Sequence, residues 1–121
     1  MVLPQGWRTP ILLQEPLRRG RAAQFWVTGV RPGEVVSFLF SDTGEGAGPC
    51  AVQLGGLCVD IIDPALFGEA PADAGGTATV ARTIPTETGR GQTMAFQAVI
   101  QRGPHGEQSV KTNAMTARVL D

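Results

Sequence analysis

Cys50 and Cys58 are the residues of this sequence with the most evident chemistry to offer. Seven residues stand between positions 50 and 58, a spacing that admits a local disulfide once the chain folds back on itself. Closing so short a loop would contribute about 2.5 kcal/mol by the chain-entropy model, enough to order a segment with little apolar content of its own. The alternative is a pair of reduced cysteines buried as small apolar side chains. A structural zinc site wants four ligands, and two cysteines with the sole histidine, His105, fall short of that.

Carboxylates supply the next candidates. Ser41-Asp42-Thr43-Gly44 follows an apolar run, and Asp-Thr-Gly in that setting is similar to the catalytic loop of aspartic proteases, whose two carboxylates share a proton. Glu45 comes next where those loops carry a small residue, and no second element of that type follows, so the segment reads as a solvated turn. Gly44 to Gly48 has the composition of a phosphate-binding loop, but Pro49 and Cys50 follow it and no helix begins there. Asp42, Glu45, Asp60, Asp63 and Asp73 lack the alternating spacing of a calcium loop. His105 sits between Pro104 and Gly106 with no nucleophile beside it in sequence. No catalytic residue, metal ligand or cofactor is therefore expected.

Binding residues are easier to nominate. Arg18, Arg19 and Arg21 make the one basic cluster, suited either to an acidic partner or to guarding a sheet edge. Trp26 lies out of phase with Phe25 and Val27, and with Trp7 it is a candidate aromatic platform for sugar or protein, against the alternative of packing between strands.

The elements that must position these side chains are strands. Residues 11–13 are an apolar run between Pro10 and Pro16, as suits an edge strand. Residues 22–30 and 34–41 alternate with period two, placing Ala23, Phe25 and Val27, then Val36, Phe38 and Phe40, on the buried face. Between them Arg31-Pro32-Gly33-Glu34 has the composition of a type II turn. Residues 41–56 read as a long loop, 58–62 as a short apolar strand, 65–69 as an edge segment, and 77–84 as a strand directing Ala78, Val80 and Ile84 inward. Residues 86–91 read as a connection across the end of the molecule. Residues 93–101 give the clearest alternation: Met94, Phe96, Ala98 and Ile100 face the core, while Thr93, Ala95, Gln97, Val99 and Gln101 are expected to form a largely polar outer face. A broken last strand covers 109–120.

Seven or eight such strands, with 16 glycines and 9 prolines spread among their turns, predict a single all-β domain over residues 1–121, an antiparallel β-sandwich. With 42% hydrophobic and 17% charged residues the chain can fill a core, yet no run approaches the ~20 apolar residues of a membrane span. A net charge of −1 gives no general attraction to phosphate, so nucleic acid is not an expected partner.

Four stretches together resemble a family of Ig-like accessory domains of bacterial secreted proteins and lipoproteins. They are residues 25–36 (FWVTGVRPGEVV), the cysteine loop 46–50 (GAGPC) with 54–60 (LGGLCVD), 72–78 (ADAGGTA) and 96–99 (FQAV). The resemblance covers roughly residues 22–116. It implies an Ig-like or fibronectin-III-like sandwich and a non-enzymatic structural or interaction module at the cell surface or outside the cell, although no signal peptide is visible in this chain. It carries no catalytic residues. The expected partners are another protein or a second copy, joined through the sheet edge near residues 11–13. A subunit of an extracellular assembly and a carbohydrate-binding module using Trp26 or Trp7 are the competing expectations.

Overall fold

The computed structural model describes residues 10–84 and 91–120. Along them run β1 (Ile11–Gln14), β2 (Leu17–Arg18), β3 (Ala22–Thr28), β4 (Val35–Ser41), β5 (Cys50–Ala51), β6 (Leu57–Cys58), β7 (Ala65–Pro71), β8 (Ala78–Thr83), β9 (Thr93–Ile100), β10 (Val110–Lys111) and β11 (Met115–Leu120). A single 3₁₀ turn, Val52–Leu54, is the one helical element among the described residues. Trp7 and nearly all of the 86–91 connection lie outside the described residues.

Two sheets pack face to face around the core. One has the order β1-β3-β8; the other has the order β2-β11-β9-β4-β7, with β10 also paired to β9. The chain changes sheet between β1 and β2, β2 and β3, β3 and β4, β7 and β8, and β8 and β9, so consecutive strands face each other across the core as well as pairing side by side. Pro16 lies at the first of these crossings. Among the described residues the pairing is antiparallel except where Leu17 and Arg18 of β2 run parallel to Val119 and Leu120 of β11 and where an isolated parallel bridge joins Arg19 to Ile84.

Alternation places the side chains as the pattern of β3 and β4 requires. Ala23, Phe25 and Val27 are buried in one sheet and Val36 and Phe38 in the other. Between these strands Glu34 N–H donates to the Arg31 carbonyl, and Gly33 takes φ +84°, the positive value that a type II turn demands at its third position. All five phenylalanines meet in the core. Phe67 stands among the other four, with ring centroids 5.0 Å from Phe25, 6.1 Å from Phe38, 5.9 Å from Phe40 and 5.9 Å from Phe96. Its position follows from a bulge: the β4–β7 register pairs Phe38 with Gly68 but Leu39 with Leu66, so Phe67 is the extra residue. A Cβ on Gly68 would lie 3.3 Å from Val80 Cγ1, so the absence of a side chain lets this strand approach the opposite sheet.

The polar outer face expected for β9 is not found. Ala95, Gln97 and Val99 are all buried, because residues 41–62, expected to be a long loop followed by a short apolar strand, fold back over them as one lobe. Val59 and Ile61 of the lobe join Ala95 and Val99 in a second apolar cluster, packed also by Leu39, Leu54 and Ala114. A sheet face that looked amphipathic in sequence is thus buried on both sides along much of its central strand.

Candidate binding site

The lobe begins at Ser41. Its hydroxyl donates to the Ile62 carbonyl and accepts from the N–H groups of Thr43 and Gly44, each at 3.1 Å, drawing the two ends of the segment together. The Asp-Thr-Gly sequence is used here as a turn, and Asp42 is exposed. A bridge between Glu45 and Ile61 continues the two legs. At the far end β5 and β6 pair with Cys50 opposite Cys58, and the two are joined by a disulfide with a Cα–Cα distance of 3.8 Å. The disulfide therefore closes a small hairpin within the lobe and does not link the two main sheets.

Further contacts fasten the lobe to the large sheet and its turns, among them Gln101 Nε2 donating to the Gln53 carbonyl at 2.9 Å and the Thr116 hydroxyl donating to Glu45. Gln97, fully buried, accepts from Asp60 N–H at 2.8 Å and donates to Asp60 Oδ2 at 2.9 Å and to the Thr112 carbonyl at 2.7 Å. Lys111 Nζ reaches the Cys58 carbonyl at 2.9 Å and Asp60 Oδ1 at 3.0 Å. These donors hold Asp60 below the usual carboxylate range, chiefly through the Gln97 hydrogen bond and then through Lys111. At the tip the backbone packs directly on the 103–106 turn. A Cβ on Gly106 would lie 1.9 Å from the Gln53 carbonyl oxygen, and one on Gly55 2.5 Å from Glu107 Cα. Both glycines also have positive φ, so a side chain is excluded on two grounds.

The lobe covers the outer face of the large sheet over β9 but stops short of β7, leaving a groove of about 680 Å³ between lobe and sheet. That volume lies within the range of ligand sites. Val35, Ser37 and Leu39 of β4 and Leu66 and Glu69 of β7 form the floor; Pro49, Ala51 and Leu54 of the lobe form the wall. Val35 and Leu66, at opposite ends of the floor, are 53% and 56% exposed and leave apolar surface open to solvent. At one end Glu34 is clamped by Arg102, which donates from Nε and from a terminal nitrogen at 2.7 Å each. That pairing depresses the Glu34 carboxyl and raises the Arg102 guanidinium against the opposing cost of burial. On the floor, Ser37 Oγ donates to Glu69 at 2.9 Å.

The residues nominated from sequence lie elsewhere. Trp26 is half-buried on the outer face of the three-stranded sheet, in register with Leu13 on one side and Thr79 on the other. Arg18 is at the edge of the large sheet, paired with Leu120 at the end of β11, while Arg19 and Arg21 are in the turn that follows, beside Ile84 past the end of β8; none of the three lines the groove. His105 is exposed in its turn, where its backbone N–H donates to Glu107. At the β1 edge, Leu12 N–H donates to Asn113 Oδ1 at 2.9 Å and its carbonyl accepts from Nδ2 at 3.4 Å. One carboxamide thereby occupies the outward backbone groups of Leu12 that an added strand would need.

Sequence reading missed the groove because its floor comes from Val35, Ser37 and Leu39, left off the buried face of residues 34–41, and from the 65–69 edge segment, to which no face was assigned. The available signal was the run of apolar residues at alternate outward positions, Val35 with Leu39 and Val99 beside Ala95. No family model matches the chain, nor does any curated protein or solved structure.

Proposed function

We propose that this chain is an Ig-like, non-enzymatic interaction module of an extracellular or cell-surface protein, and that it engages a polypeptide partner through the groove between its disulfide-clipped lobe and the large sheet. The observation that carries the reading is the groove itself: apolar floor positions left uncovered beside a lobe held in place along its length. A rigid rim beside exposed apolar surface lowers the entropic cost of association.

The strand order supports the Ig-like reading. β1, β3 and β8 correspond to strands A, B and E of such a domain, β11, β9, β4 and β7 to G, F, C and C′, and β2 to a continuation of the first strand into the second sheet. The disulfide supports placement in an oxidising compartment, and no helix among the described residues is long and apolar enough to cross a membrane. Assembly through the β1 edge has less support, given the Asn113 cap. Glycan binding on Trp26 is a second reading, favoured by the outward, half-buried position of that ring among Leu13 and Thr79.

Titrating a library of small fragments into methyl- and amide-labelled protein tests the reading. Shifts centred on Leu39, Leu66 and Val99 support the groove. Shifts confined to Trp26 and Leu13 favour the glycan surface, and a protein that no fragment perturbs would count against both.

A further inference from the structure

We propose that the groove selects an extended peptide with a basic residue flanked, two positions to either side, by apolar residues. The proposal rests on the groove being the interaction site and names the partner it takes. Its first ground is spacing. Val35, Ser37 and Leu39 are successive outward residues of β4, and Ser37 is paired across the sheet with Glu69 while Leu39 is paired with Leu66. The floor therefore presents an apolar, an acidic and an apolar station in a line, each step spanning two residues, or about 6.6 Å of strand. An extended ligand lying along β4 has the same period, because its residues i, i+2 and i+4 point to one side.

Charge is the second ground. The lining contains two carboxylates, Glu34 and Glu69, and no lysine or arginine. Glu34 is already neutralised by Arg102 through both its oxygens. Glu69 receives only the Ser37 hydroxyl among the described residues, so its negative charge faces the groove without a cation. A lysine or arginine at the middle station meets that charge, and its aliphatic stem adds apolar contact on the same floor. A carboxylate there would meet repulsion from Glu69 instead. The flanking aliphatic side chains then cover Val35 at one end and Leu39 with Leu66 at the other, which are the floor positions left in contact with solvent.

The test uses three synthetic heptapeptides titrated into the 121-residue chain and followed by amide and methyl shifts. One has the pattern Ser-Leu-Ser-Lys-Ser-Leu-Ser; a second replaces lysine by glutamate; a third keeps the composition of the first but brings the leucines together. The expected result is binding of the first at the groove, about five-fold tighter than the second, the upper end for an exposed ion pair. That preference should disappear in Glu69→Gln and remain in Thr79→Ala on the opposite sheet, and the third peptide should bind more weakly than the first. Equal binding of the first two at the groove, or a preference unchanged in Glu69→Gln, overturns the proposed selectivity and leaves the groove reading standing. Failure of all three to shift any groove resonance at millimolar concentration overturns the selectivity and the groove reading together.

Discussion

Replacing Gln97 by methionine removes the polar tie between lobe and sheet while keeping nearly the same volume. In the native protein the carboxamide makes three hydrogen bonds of 2.7–2.9 Å, two to Asp60 and one to the Thr112 carbonyl. Each bond is worth roughly 0.5–1.5 kcal/mol net, and a buried group stranded without its partner costs about 1–3 kcal/mol. The Asp60 carboxylate is half exposed, so water can replace part of what it loses. The Asp60 N–H and the Thr112 carbonyl are less accessible to such repair. A loss of about 3 kcal/mol follows, against under about 0.5 kcal/mol for a glutamine on a solvated sheet face. Urea unfolding would give the free energy, and amide exchange at Asp60 and Val59 would report whether the lobe has come loose. A change under 0.5 kcal/mol with unaltered exchange at those amides would refute the placement of Gln97 beneath the lobe.

Phe67→Ala should cost about 3 kcal/mol in the same unfolding assay, the low end for a phenylalanine truncation because the ring is half-buried at an edge. Reducing the disulfide, or replacing both cysteines by serine, should lower stability by about 2.5 kcal/mol and speed amide exchange within residues 44–62 while the strands of the three-stranded sheet stay protected. Glu34 and Asp60 both have depressed folded-state pKa values, so their contribution is complete above the ordinary carboxylate range and is lost as pH falls through the lowered values. Thermal unfolding between pH 7 and pH 2 should show that loss, and Glu34→Gln should flatten part of it.

The legible portion of the fold was the portion governed by a single buried face. β3 buries Ala23, Phe25 and Val27 and β4 buries Val36 and Phe38, and this alternation is visible because the inward face of each strand meets the core while the residues between are more exposed. β9 misleads for the opposite reason. Gln97 has the composition of a solvent-facing residue, but a buried glutamine with all its hydrogen bonds made is equally stable, and nothing local distinguishes the two cases. Phe67 was obscured by the bulge, which breaks the period of two at the residue that joins the aromatic cluster. In the lobe, the cysteine spacing spoke for a clip, but what the lobe rests on depends on Gly55 and Gly106. Those glycines are distant in sequence and meet only after folding. The groove depends on all three of these features, so it could not be read from any one segment.

The claim on which everything else rests is that the lobe lies over β9 and leaves the floor beside β7 open. Methyl–methyl nuclear Overhauser measurements on the oxidised protein test this directly. Cross-peaks linking Val59 and Ile61 to Ala95 and Val99, with Leu66 methyls accessible to a soluble paramagnetic probe, are the expected result. Absence of every lobe-to-β9 cross-peak, with Val99 as accessible to the probe as Leu66, would contradict it.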